Sequence, residues 1–121
     1  MKNVLIVDDE LSIRRMLGYL LKREQYSTLV AGSAKEALEI LGEHSVDLML
    51  LDMAMPETNG MALLKHLRAR LEYKELPIVM LTASTNERDR LAAETAGANA
   101  FMNKIANPDD LLATIRDVLG E

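Results

Sequence analysis

Asp8, Asp9, Asp52, Thr82 and Lys104 are the residues of this chain whose types and spacing could do chemistry together. Each follows a short apolar run: "VLIV" leads into Asp8-Asp9, "LMLL" into Asp52, "IVML" into Thr82, and "AFM" reaches Lys104 after one intervening residue. Three carboxylates brought into one pocket repel and raise each other's pKa unless a cation neutralises them. With oxygen donors only, and no His or Cys among them, the cation is a hard divalent ion, and Mg²⁺ fits best. A lysine supplies a point charge and a threonine a hydroxyl, both suited to phosphoryl oxygens. A carboxylate beside Mg²⁺ can act as a nucleophile and form an acyl phosphate. Phosphoryl transfer asks for positioning and charge neutralisation, and this set offers both.

Taken singly, each residue has an ordinary structural reading. An Asp-Asp pair before a helix can be a cap with a solvated charge, Asp52 a turn residue, Thr82 a strand-end hydroxyl and Lys104 a surface lysine. Their coincidence matters only if the fold gathers them, so the elements have to be placed. Strands are expected at Val4–Val7, Thr28–Ala31, Leu48–Leu51, Ile78–Leu81 and Ala98–Met102. Several of these runs are apolar at every position, as in central strands of a parallel sheet covered on both faces.

Helical stripes lie between them. They comprise Ile13, Met16, Leu17, Leu20 and Leu21; Ala34, Ala37, Leu38 and Leu41; Leu63, Leu64, Leu67 and Leu71; and Leu111, Leu112, Ile115, Val118 and Leu119. Ser33…Glu36 and Ser84…Glu87 have capping-box spacing, Asn107-Pro108 puts a cap before a first-turn proline, and Gly97 suits a helix end. The segment Asn86 to Ala96 is helical but thinly apolar, with Leu91 its one large apolar residue, and is expected to dock loosely.

Five βα repeats imply right-handed crossovers and helices on both faces of the sheet. Two strand orders suit such a sheet, a Rossmann half and 2-1-3-4-5. The first strand runs into "DDELSI", so the glycine-rich loop of a dinucleotide site is absent. In the order 2-1-3-4-5 the second strand, which ends in unreactive Ala31-Gly32, is the edge. The four polar strand ends then belong to four adjacent strands and share one rim, where open α/β sheets bind their ligands.

Composition agrees with a small cytoplasmic domain. The chain has 121 residues, 49% of them hydrophobic, enough for one core. It has no cysteine, which removes disulfides and thiolate metal sites. A net charge of −5 argues against non-specific nucleic-acid binding, and no direct nucleic-acid partner is expected. No apolar run reaches the ~18 residues of a membrane span, and "MKNVLIVDDE" does not read as a signal peptide.

Together "VLIVDDE", "LLDMAMPETNG", "IVMLTAS" and "FMNK" resemble the receiver domain of two-component response regulators, of the chemotaxis-regulator type, over essentially the whole chain. The resemblance implies a single receiver domain over 1–121, with no output domain in this chain. It also implies a flavodoxin-like (βα)5 three-layer sandwich with strand order 2-1-3-4-5. Asp52 resembles the phospho-accepting aspartate. Asp9 resembles the direct metal ligand, Asp8 a ligand acting largely through water, and Ala54 the residue whose backbone carbonyl completes the site. The metal would be Mg²⁺, with Mn²⁺ as a substitute, and no organic cofactor is implied. Thr82 and Lys104 resemble the hydroxyl and amine that bind the phosphoryl group, Ala83 the small residue that gives access to it, and Phe101 the aromatic switch.

The domain so implied is a switch rather than an enzyme. It catalyses its own phosphorylation and dephosphorylation, with a histidine kinase or histidine phosphotransfer protein as donor. An output protein or attached effector domain, or a phosphorylation-dependent dimer, would read the surface of the fourth helix, fifth strand and fifth helix. Leu11, Arg14, Arg15 and Gly18 form a candidate docking face for the donor. His44 and His66 are expected at the surface, outside the pocket. Pro56 and Gly60 are expected to stiffen and turn the loop after Asp52. Ala54 and Ser84, both small, predict an acyl phosphate neither unusually shielded nor assisted by an added acid or amide.

One position departs from the family pattern. Ile105 follows Lys104 where the family usually has a proline in a cis peptide. A non-proline cis bond costs about 2.5–4 kcal/mol against about 0.5–1 for proline, so a trans bond with a shifted loop is expected. Phosphorylation should then couple less tightly to the switch than in an Ile105→Pro variant. Two rival readings remain: an interaction module with a vestigial pocket, or a small phosphatase working through an aspartyl phosphate. "LLDMAM" lacks the second acid of the D-x-D that haloacid-dehalogenase-like phosphatases use.

Overall fold

The computed structural model describes residues 1–55, 59–104 and 106–121; Pro56 and Ile105, to which the sequence assigns loop roles, lie outside them. The elements alternate as expected. Strands β1 (Asn3–Val7), β2 (Ser27–Ala31), β3 (Leu48–Asp52), β4 (Ile78–Thr82) and β5 (Ala100–Asn103) are separated by α1 (Leu11–Arg23), α2 (Ala34–Glu43), α3 (Gly60–Arg68) and α4 (Glu87–Ala96), and α5 (Pro108–Leu119) closes the series. All pairings are parallel, in the order β2-β1-β3-β4-β5. This is the flavodoxin-like arrangement.

The continuous apolar strands follow from burial on both sides. Val4 and Ile6 of β1, Leu48 and Leu50 of β3, and Val79 and Leu81 of β4 pack with Leu17, Leu20 and Leu21 of α1 and with Leu111, Leu112 and Ile115 of α5. The alternate residues Leu5 and Val7, Met49 and Leu51, and Ile78 and Met80 face α2, α3 and α4. Successive side chains of a strand point to opposite faces, so neither face has room for a polar residue. Burying each leucine or methionine fully is worth about 1.5–3 kcal/mol. That gain overrides the weak strand preference of Leu and Met.

Local signals set most helix ends. Ser33 Oγ accepts from the Glu36 amide, and Glu36 Oε1 in return accepts from the Gly32 amide. Asn59 caps α3 by accepting from the Ala62 amide, and Asn107 accepts from the Asp109 amide beside Pro108. Gly97 ends α4 at φ +106°, a left-handed conformation that favours glycine.

Several expectations need correction. Ser84 does not cap α4: Asn86 does, accepting from the Asp89 amide, while Ser84 is tied to Thr82. The thinly apolar α4 packs through a small residue: Ala93 is buried, while Leu91 is 52% exposed. β5 starts at Ala100 rather than Ala98, and the Asn99 side chain just before it closes off the start of β4 by accepting from the Ile78 amide. β3 and β4 each run one residue further than expected, so Asp52 and Thr82 are the last residues of their strands.

Candidate functional site

The strand order places the ends of β1, β3, β4 and β5 side by side, and with them all the polar strand ends. Asp8 and Asp52 are almost fully buried, at 1% and 2% exposure, and Thr82 is buried beside them. One oxygen from each of Asp8, Asp9 and Asp52 lies within 4.8 Å of the others, with Asp9 at the exposed side. Lys104 reaches over from the end of β5. Its Nζ is 3.0 Å from Asp8 Oδ2 and 3.4 Å from Asp52 Oδ2.

Backbone geometry fixes both buried acids. The Asp8 amide donates to the Ala31 carbonyl, extending the β1–β2 ladder by one residue. Asp8 Oδ1 accepts from the Glu10 amide at 2.9 Å. Its other oxygen, Oδ2, is buried and receives no directed hydrogen bond among the described residues; Lys104 approaches it as an ion pair only. Asp52 Oδ1 accepts from the Ala54 amide at 3.2 Å. Gly60 begins α3 against this strand end: its amide donates to the Met53 carbonyl, and a Cβ on it would overlap the Asp52 carbonyl oxygen. The glycine expected to turn the loop is thus needed for close approach.

An under-satisfied buried carboxylate oxygen, facing two further acids, is the donor set of a hard divalent cation. Residues 4–116 match the family model described as the response regulator receiver domain. The chain belongs to that family. It is similar to the transcriptional regulatory protein CpxR of Klebsiella pneumoniae, 40% identical over 119 residues, covering 98% of this chain and 50% of that protein. It is 33% identical over 118 residues to the phosphate regulon transcriptional regulatory protein PhoB of Escherichia coli, covering 98% of this chain and 52% of that protein. The chain spans about half the length of the curated relatives it matches. Among solved structures, chemotaxis protein CheY4 of Vibrio cholerae has a TM-score of 0.92 at 34% identity, covering 98% of both chains. The response regulator TrrA of Thermotoga maritima, in complex with Mg²⁺-BeF, has a TM-score of 0.87 at 32% identity, covering 98% of this chain and 99% of that one.

In this receiver domain the charges are strongly coupled. Burial, and then the neighbouring Asp8 charge, push Asp52 up to about 6; the Ala54 amide and Lys104 pull the other way. Burial alone would lower the Lys104 ammonium. Its hydrogen bond to Glu10 and the attraction of Asp52 and Asp8 outweigh that and hold it above the ordinary lysine value.

Thr82 Oγ1 is engaged with the following loop, donating to the Ser84 carbonyl at 3.1 Å and accepting from the Ser84 amide at 3.3 Å. Phe101, opposite Met80 in the sheet register, is half-buried against the core under α3 and α4. The structure therefore brings Asp8, Asp9, Asp52 and Lys104 together, with Thr82 at the rim and Phe101 beneath the neighbouring helices. His44 and His66 are exposed, away from the pocket.

Glu10 is the site residue that sequence reasoning missed. It stands at the cap position of α1 but makes no side-chain cap bond; instead its Oε1 accepts from Lys104 Nζ at 2.8 Å. The signal was present in the unbroken acid run "DDE", of which only the first two acids were read as site residues.

Proposed function

We propose that this receiver domain accepts a phosphoryl group on Asp52 from the phosphohistidine of a kinase or phosphotransfer protein, and uses it to switch its α4–β5–α5 surface. The observation that carries this reading is the end of β3: the buried Asp52 carboxylate, within 4.8 Å of Asp8 and Asp9 oxygens and 3.4 Å from Lys104 Nζ. Asp8, Asp9 and Asp52, with the Ala54 carbonyl, would hold a Mg²⁺ ion, which when bound neutralises charge on the acid cluster and on phosphoryl oxygens. The Mg²⁺-BeF carried by TrrA supports that assignment by analogy.

Asp52 then forms a P–O bond as the donor's P–N bond breaks, the electron pair leaving with the histidine nitrogen. Lys104 supplies a positive charge to the incoming phosphoryl oxygens. Thr82 exchanges its bonds with Ser84 for one to the phosphoryl group, and the space it leaves admits Phe101. A new charge that interacts differently with two arrangements shifts their populations. The small stripe through which α4 packs suits it as the moving element. The domain works as a cytoplasmic switch that turns over only its own phosphate, and an output protein or domain reads it.

Intact mass after incubation with Mg²⁺ and acetyl phosphate tests the reading. The parent should gain one phosphoryl group and Asp52→Asn none. A folded parent that gains nothing from acetyl phosphate or phosphoramidate would instead be a vestigial interaction module. Repeated turnover of metabolite phosphates would make it a phosphatase.

A further inference from the structure

Arg14 and Gly32 have no part in the chemistry above, yet they meet directly behind the acid cluster. Arg14 lies in the first turn of α1 and is half-buried. Its Nη1 donates to the Asp8 backbone carbonyl at 3.0 Å. The same residue is held from the other side, where the Asp8 amide donates to the Ala31 carbonyl and Asp8 Oδ1 takes the Glu10 amide. Every polar group of Asp8 except Oδ2, the atom facing the pocket, is thereby fixed.

Gly32 is where the guanidinium sits. Its φ is outside the left-handed region, so the backbone there does not demand glycine. The demand is spatial: a Cβ on Gly32 would overlap Arg14 Nη1 and lie 3.2 Å from Glu36 Oε1. Glu36 in turn holds the Gly32 amide at 3.1 Å, which fixes the wall of the seat.

We propose that Arg14 is a positioning residue for the metal-ligating acids of the β1–α1 loop, and that Gly32 is the seat that admits it. The proposal rests on the reading of Asp8, Asp9 and Asp52 as a divalent-metal site. It also reassigns Arg14, which the sequence placed on a docking face, and gives a role to the end of β2, which the sequence read as unreactive. Electrostatics and positioning predict opposite signs. Removing a cation beside a metal site should tighten metal binding, whereas releasing the Asp8 peptide should weaken it.

Mn²⁺ titration, followed by the EPR signal of the free ion, reads the affinity in the parent, Arg14→Gln, Gly32→Ala, the double variant and Arg15→Gln. Arg15 is exposed on the same turn and controls for charge. Arg14→Gln should weaken Mn²⁺ binding by about 10-fold, the lower end for groups that orient metal ligands. Gly32→Ala, which changes no charge and displaces only the flexible end of a side chain, should weaken it in the same direction. The double variant should be no weaker than Arg14→Gln, because residues acting through one contact are not additive. Arg15→Gln should leave binding unchanged or tighter. Tighter binding in Arg14→Gln, or losses that multiply in the double variant, would overturn the proposal. A parent that binds no Mn²⁺ would sink the metal reading instead. Amide exchange at Glu10 in the metal-free proteins then decides the positioning role: faster exchange in Arg14→Gln and in Gly32→Ala supports it, and unchanged exchange refutes it.

Discussion

Glu10 Oε1 lies 2.8 Å from Lys104 Nζ, closer than Asp8 at 3.0 Å or Asp52 at 3.4 Å. The lysine proposed to meet the phosphoryl group is therefore drawn toward the most exposed of its three acids. Asp8 and Asp52 are fixed in the sheet, whereas the Glu10 side chain is 56% exposed and free of capping duty. Of the three contacts, the one to Glu10 is the easiest to surrender.

Glu10→Gln should therefore loosen Lys104 without disturbing the fold. The Glu10 hydrogen bond heads the forces that raise the Lys104 pKa against burial, so the ammonium should deprotonate at lower pH in the variant. Competitive acylation at alkaline pH, read by mass spectrometry, should label Lys104 several-fold faster than in the parent. Equal labelling would mean that Asp8 and Asp52 alone hold the lysine.

Asp52 makes stability depend on pH in an unusual sense. Burial and Asp8 raise its pKa from 3.8 to about 6, so the folded chain binds this proton more tightly than the unfolded one. Stability is then lost as pH rises from about 4 to about 6, and the deficit is complete above that range. Asp8, Asp9 and Glu10 from the β1–α1 loop and Lys104 from the end of β5 face the group and remain in place in Asp52→Asn. Discounted for solvent screening, the metal-free variant should gain about 1–2 kcal/mol at about pH 7.5 and nothing near pH 4. Urea midpoints at the two pH values check this. Equal midpoints at the higher pH would show that Lys104 already neutralises Asp52.

Much of this was legible because local pattern and tertiary demand agree. Leu48–Leu51 and Ile78–Leu81 are apolar throughout because alternate residues serve two cores, and strand order then collects the polar strand ends. Signals that several residues share were less decisive. Ser84…Glu87 and Asn86…Asp89 both offer a cap and a following acid; Asn86 takes the role, while the Ser84 backbone is held to Thr82 Oγ1 in the preceding loop. Apart from Lys104 at its strand end, the partners of long charged side chains were not legible. Glu10 meets Lys104 across 94 positions and Arg68 meets Gly97 across 29, and no periodicity encodes such pairings.

Gly60→Ala should injure both the fold and the proposed acceptor, Asp52. The added Cβ would overlap the Asp52 carbonyl oxygen and lie 2.9 Å from the Asp52 carbonyl carbon and 3.0 Å from Met53 Cα. These are backbone atoms at the end of a buried strand and cannot swing aside. Overpacking of this kind costs about 1–3 kcal/mol. A lower urea midpoint and slower phosphorylation by acetyl phosphate should appear together. A variant with parental midpoint and rate would show that the start of α3 can shift without moving Asp52.

Arg68, rather than Leu91, should govern how firmly α4 is held. From the end of α3, Arg68 donates to the Gly97 carbonyl at 2.9 Å, to the Tyr73 carbonyl at 2.8 Å and to Asn99 Oδ1 at 2.9 Å. It thus ties the C-terminal end of α4 to the foot of β4 and β5, while the N-terminal end by the pocket rests on an exposed Asn86 cap. Hydrogen bonds from a charged donor are worth about 1.5–3 kcal/mol each in favourable cases. Arg68→Ala should cost at least about 2 kcal/mol and speed amide exchange through α4. Leu91→Ser, at an exposed position, should stay within about 0.5 kcal/mol of the parent. If Leu91→Ser instead loosens α4 as much as Arg68→Ala does, the helix is held by its apolar side chain, and the anchor at Gly97 is secondary.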